Sequence, residues 1–252
     1  MPADLMTNPK GGYRFLPGID PYSCGVAAES GYEIVHVTLS RPQPWHAGLL
    51  AAREYLRSND RTCHALCGVE LRCPQPHSLD GFSEFNQQYR ALLEEWDMLV
   101  DGLNPVARTN VSPVIDPPGE TMLHGFSYTV PSDLSWSTFV IAGGGELRDG
   151  GLKRELIVRV GETSPDAMRD KAIRVVEIMC ERLTSLGDND RLSTIDAYTQ
   201  HPLRDIVSDV IIPAIPAVAS RGVQWFLTRP PVEEIEFEMD MRGVRRDIVV
   251  DW

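Results

Sequence analysis

The stretch NPVARTNVSP, residues 104–113, sets one arginine, Arg108, at the start of a β-type run with Pro105 and Pro113 on either side. A second stretch, ASRGVQWFLTRPP, residues 219–231, places Arg221 in the same way. Nine residues lead from Arg108 to Pro117–Pro118, and nine again from Arg221 to Pro230–Pro231. An equal interval at two places points to a duplicated unit, so the chain is read outward from these two arginines as two copies of one plan.

The first copy opens on CGVAAESGYEIVHVTL, residues 24–39, whose Val, Ile and Tyr content around a Gly-containing turn predicts a strand pair. Residues 44–58 carry helical apolar spacing at Leu49, Ala52 and Leu56, and 63–73 predict a buried strand. In 80–100, Phe82, Phe85, Tyr89, Leu92, Trp96 and Leu99 step by three and four, an amphipathic helix. ARTNVSP and residues 120–130 close the copy as strands. In the second copy, 138–147 and 154–160 predict strands. Residues 164–187 predict a helix with Ser164 as N-cap, Pro165 at the first helical position and Gly187 at its end. A strand at 192–199, a shorter helix over 201–215 and two strands in 222–241 follow. The order ββ-α-β-α-ββ, twice, predicts an α+β fold of two tandem units, 1–131 and 132–252, each a mixed sheet with two helices on one face.

Bulk properties narrow the function. A net charge of −12 gains nothing from counterion release on a phosphate backbone, which argues against a nucleic-acid partner. A local arginine can still oppose that field for a small acid. No apolar run reaches the ~18 residues of a membrane span. Five cysteines make no even disulfide framework, and the N-terminus lacks the pattern of a signal peptide, so a cytoplasmic protein is expected. Cys63, Cys67 and Cys73 with His64 do not have the short spacing of a structural zinc site and read as buried apolar residues. The glycines 143–145 lack the following helix and Lys-Ser/Thr of a phosphate loop and read as a place of close backbone approach.

The closing half resembles the Rid (YjgF-type) family of enamine/imine deaminases: an arginine before a strand, Arg221, a proline nine residues on, Pro230, and the run Ile235-Glu236-Phe237-Glu238. IAGGGEL, residues 141–147, is similar to the family's Gly-rich first strand. FNQQY, residues 85–89, and NPVARTNV are similar to its Phe-Asn-x-x-Tyr and Pro-Ala-Arg-Thr patterns, with Val106 inserted. The first copy departs at one place, where Leu123 stands in the position of Glu236. YRFLPGIDPYSCGV and NPVARTNV resemble, more narrowly, the deaminases of 2-aminomuconate-type acids, chlorinated ones included.

The resemblance implies a hydrolytic deaminase that needs no metal or organic cofactor and assembles as a homo-oligomer, a trimer in the family, with sites in clefts between units. Arg221 would hold the substrate carboxylate through two parallel hydrogen bonds. Glu236 would deprotonate water and pass a proton to the departing amine. Backbone N–H groups of Gly143–Gly145 would steady the tetrahedral intermediate. Arg108, Asn110, Gly144, Gly145, Glu146 and Glu238 complete the expected substrate-binding set, with Arg108 suited to a second carboxylate. His124 is a substitute base for the first copy, and Trp225 a core aromatic or a wall against a conjugated diene. Two other readings stay open: a non-catalytic carboxylate sensor, and a chorismate-cleaving hydrolase on the same duplicated scaffold.

Overall fold

The computed structural model describes residues 4–148, 151–187 and 191–252. In chain order the strands are β1 (Met6–Asn8), β2 (Tyr13–Leu16), β3 (Gly25–Ala28), β4 (Tyr32–Pro44), β5 (Leu66–Arg72), β6 (Ala107–Pro113), β7 (Met122–Pro131), β8 (Phe139–Gly145), β9 (Thr194–Tyr198), β10 (Gln224–Phe226), β11 (Thr228–Arg229), β12 (Glu238–Gly243) and β13 (Arg246–Val250). The long helices are α1 (Trp45–Ser58), α2 (Leu79–Glu95) and α3 (Pro165–Leu186). The end signals of α3 act as expected: the Ser164 hydroxyl accepts the Ala167 N–H, and Gly187 closes the helix at φ 88°.

Two sheets face each other. One runs β1-β2-β3-β8-β12-β9-β10 and the other β11-β6-β5-β7-β4-β13. Period-2 alternation gives each strand one residue set for the space between the sheets and one for a helix. On β2, β3 and β8 the inner set is Phe15, Val26, Val140 and Ala142, which packs on Ile34, Cys67 and Ala107 of the second sheet. The outer set, Leu16, Ala27 and Ile141, packs under Val175, Met179 and Leu183 of α3. Across the molecule, Val37, Val69 and Phe126 pack under Leu49 of α1 and Tyr89 of α2. The result is a helix–sheet–sheet–helix sandwich with three apolar seams.

This arrangement keeps the α+β class and corrects the expectation of two tandem Rid-like units, each with its own sheet. Strands β1–β3 leave the first half and join β8, β12, β9 and β10, while β11 and β13 leave the second half and join β4–β7. The expected division at 131/132 falls in the link between β7 and β8, yet both sheets draw strands from both sides of it. The residues 24–39 form two strands that part instead of pairing: β3 pairs with β8, and β4 with β7. Thr138 holds that parting, because its carbonyl accepts the Ala28 N–H at 2.8 Å and its hydroxyl accepts the Ile34 N–H at 2.6 Å. On the far edge β13 runs parallel to β4, and Arg245 and Arg246 reach the buried Glu33 carboxylate at 2.7 and 2.6 Å.

Two elements differ from their sequence patterns. Residues 154–160 make no strand: Arg154–Leu156 is a single helical turn and Arg159 sits at φ 45°. The helix over 201–215 is broken into Arg204–Ile206, a π-helical Val207–Ile211 and Ile212–Ala214, where Pro213 has no N–H to continue an α-helix.

Candidate active site

Strand β6 carries Arg108 and Asn110 on one face, and both line a cleft with Tyr22, Phe82, Gly143 and Glu238. Arg108 is buried within an aromatic box: its guanidinium carbon stands 4.6 Å from the ring centre of Tyr89, 4.7 Å from Tyr22, 5.4 Å from Phe85 and 5.6 Å from Phe82. Such faces favour a cation. Helix α2 supplies Phe82, Phe85 and Tyr89 at helical spacing, and between them Asn86, whose Oδ1 accepts from Arg108 Nη2 at 2.5 Å. Arg108 Nη1 is buried without a partner, as are Nδ2 and Oδ1 of Asn110. A buried cation with no paired anion and an amide with neither end satisfied cost stability. Their place in one cleft fits a ligand that supplies an anion and further hydrogen bonds.

Glu238, the first residue of β12, lies opposite Gly145 of β8 and Tyr198 of β9. Burial, and then the charge of Asp240, hold its carboxyl well above the usual carboxylate range, against the opposing pull of Arg182 and Arg108. The shift favours the protonated form of the carboxyl. Gly143 makes its placement possible, because a Cβ there would collide with Glu238 Oε1. The Gly143 N–H is already used: it donates to Thr109 Oγ1 at 3.0 Å, and the same hydroxyl donates to Asp240 Oδ2 at 2.6 Å. Gly143 thus provides close approach for a carboxyl and not the oxyanion donor expected from the sequence.

Behind this face lies a buried charge cluster between the sheets. Arg242 Nη1 pairs with Glu70 Oε1 at 2.5 Å and Asp196 Oδ2 at 3.3 Å. Tyr198 and Thr109 both donate to Asp240 Oδ2. Burial and the neighbouring Asp240 push the Asp196 carboxyl up to about 9. The cluster orients Thr109, and through it Gly143 beside Glu238.

The structure places the other expected residues elsewhere. Arg221 does not open a strand. It is exposed on the helical turn Val218–Arg221, Gly222 follows at φ 80°, and β10 begins only at Gln224. Arg221 lines a separate cavity with Cys180, Thr184 and Ser220. Glu236 precedes β12 and binds His201 Nε2 at 3.0 Å, so it forms no site with Arg221. Glu236 and Glu238 differ although two residues apart, because the chain turns at Glu234 (φ 67°) and becomes a strand only at Glu238. Glu146 is a buried structural carboxylate: it pairs with Lys171 Nζ at 2.9 Å and accepts the N–H groups of Glu236 and Phe237 at 2.7 and 3.0 Å. Gly145 lines the cleft, and Gly144 lines the chamber next to it. Trp225 is half-exposed on the edge strand and donates to Thr199 O, neither core nor cleft wall. Leu123 is buried against Gly48, and burial lowers the adjacent His124 to about 4, away from the cleft.

Tyr22, Asn86, Thr109 and Asp240 were not foreseen as parts of the site. Asn86 stood in the FNQQY run, Thr109 in NPVARTNV and Tyr22 in YRFLPGIDPYSCGV without being assigned a role, and Asp240 carried no local signal. Among the described residues no group of three or more His, Cys, Asp or Glu is placed to hold a metal, and no helix is long and apolar enough to cross a membrane. Burial pushes the Cys73 thiol up to about 12 and the Cys67 thiol up further, so both stay protonated.

A buried arginine with a free N–H, an unsatisfied amide and a carboxyl raised well above its usual range meet around one small cleft, an arrangement suited to an anionic ligand. The chain belongs to the family described as 2-aminomuconate deaminase CnbZ, which matches residues 5–248. A 2-amino-5-chloromuconate deaminase of Comamonas testosteroni is 40% identical over 255 residues, spanning 99% of this chain and 100% of that protein. A crystal structure of a chorismatase aligns with 96% of this chain and 80% of its own at 14% identity and a TM-score of 0.43, a likeness too remote to carry an argument.

Proposed function

We propose that the protein is a hydrolytic deaminase of 2-amino-2-enoic acids of the 2-aminomuconate type, with its chemistry in the cleft between Arg108 and Glu238. The unpartnered Arg108 Nη1 and Asn110 amide beside Glu238, whose buried carboxyl is raised well above the usual range, carry this reading, and family membership supports it. Arg108 would bind the carboxylate on the nitrogen-bearing carbon, which its aromatic box holds in one orientation. Asn110 would accept from the amino group and donate to a carboxylate oxygen. Glu238 would first give its proton to the adjacent carbon of the enamine, producing the imine tautomer. As a carboxylate it would then take a proton from the water that attacks the imine carbon and return it to nitrogen as the C–N bond breaks. The balance is enamine acid plus water to 2-oxo acid plus ammonia.

The test is ammonia release from freshly generated 2-aminomuconate, followed together with the 2-oxo acid. Equal amounts of both products are expected. Saturable binding of the substrate with no ammonia would instead mark a non-catalytic carboxylate-binding protein.

A further inference from the structure

We propose that Arg182 is a specificity-determining residue that receives the second carboxylate of a dicarboxylic substrate, in the chamber adjoining the Arg108–Glu238 cleft. The inference rests on the reading above only for where the first carboxylate lies. The cleft itself is small, about 40 Å³, room for little more than the reacting end of a ligand. It adjoins a chamber of about 480 Å³, and the two share Tyr22, Gly143, Gly145, Leu147 and Leu152 in their walls. A ligand anchored at Arg108 that extends past these shared residues would enter the chamber.

The walls of that chamber select for one kind of tail. Pro17, Ile19, Leu147, Leu152 and Ile178 are apolar, and Arg182 is the single formal charge among the described lining residues. No acid among them neutralises it. An apolar chamber with one cation suits a hydrocarbon chain that ends in an anion. Arg182 is also fixed in place: Nη1 donates to Ala142 O at 2.8 Å and Gly143 O at 3.3 Å. These bonds use one nitrogen of a group that carries five N–H donors. Gly144 gives the guanidinium its room, since a Cβ there would come within 3.1 Å of Nη1. Helix α3 thus holds one cation across β8, and β6 holds another behind the aromatic box. Arg108 and Arg182 thus place two positive charges on the adjoining cavities, suited to a dianion. That local excess opposes the −12 of the whole chain.

The test compares two ligands that differ by one carboxylate, 2,4-hexadienedioate and 2,4-hexadienoate, by titration calorimetry on the wild type, Arg182→Gln and Arg182→Lys. Glutamine keeps a donor for the β8 carbonyls and removes the charge. The wild type is expected to prefer the dicarboxylate. Arg182→Gln should weaken the dicarboxylate about 30-fold, the loss typical of one partner of a desolvated charge pair, and shift the monocarboxylate far less. Arg182→Lys should recover part of the loss. In turnover of 2-aminomuconate, KM should rise while kcat changes little. Equal weakening of both ligands, or no preference in the wild type, would overturn the proposal. If the ligand preference follows Arg182 while no ammonia is released, the deaminase reading fails and the role of Arg182 stands.

Discussion

Arg108 and Arg221 stand in matching sequence frames and end in opposite surroundings. Arg108 lies on an inner strand, under a helix that supplies three aromatic rings and an asparagine, with one N–H group left free. Arg221 lies on a four-residue turn in contact with solvent, ahead of an edge strand. The equal interval to the next proline fixes neither the backbone, a strand at one arginine and a helical turn at the other, nor what packs above it. Burial is what sets the two apart: a guanidinium in water exchanges one set of hydrogen bonds for another, whereas a buried one with a free N–H gains most from an added anion.

The sharpest way to break this contrast is to move the acid. Glu238→Gln should lower kcat by about 10²–10⁴-fold, the usual reach of general acid–base assistance, while Glu236→Gln should cost no more than a few-fold. A reversal of the two would return the chemistry to the His201 side. Next come the arginines: Arg108→Lys should raise KM for 2-aminomuconate about 30-fold or more, because lysine cannot reproduce the planar fork, and Arg221→Lys should leave steady-state kinetics as they are. Comparable losses from both would show that the frame, and not burial, marks the binding residue. Gly143→Ala tests the fit of Glu238. The added methyl must displace the carboxyl, so thermal unfolding should report a loss of about 1–3 kcal/mol together with reduced turnover.

The smallest effect concerns the charge cluster that supports β12. Asp196 is raised in the folded state to about 9, so between its unfolded value near 3.9 and about 9 the folded protein holds a proton that the unfolded chain has released. Stability from this group is fully present below that window and falls as pH rises through it, by at most ~1.4 kcal/mol per pH unit. Over pH 6.5–8, melting curves of Asp196→Asn should therefore show a weaker decline with pH than the wild type. An unchanged slope would locate the shared proton on another member of the cluster.

Much of the scaffold was legible because its signals are local. Ser164, Pro165 and Gly187 bound α3, and the three-and-four spacing of Phe82, Phe85 and Tyr89 marked α2. Arg108, Asn110, Gly145 and Glu238 were singled out as binding residues, and the structure brings those four to one cleft. What could not be read is pairing across distance. The sequence around Glu29–Gly31 predicts a turn whether its flanking strands pair or part, and parting depends on Thr138, over a hundred residues away. The sequence pattern favours Glu236 over Glu238 as the reactive acid, and only the backbone at Glu234 and the position of His201 show why Glu238 and not Glu236 lines the cleft. Arg182 was hidden in α3, where only the apolar stripe was read.

The edge formed by β4 and β13 has a consequence in time. During synthesis β4 emerges some two hundred residues before its neighbour, and Glu33 is left without the two arginines that neutralise it until Arg245 and Arg246 arrive. Until then the nascent chain carries an open strand edge and an uncompensated acid, a state that invites association with other chains. Strand β13 and its two arginines work as a latch, closing the edge of the sheet and neutralising Glu33 in one step.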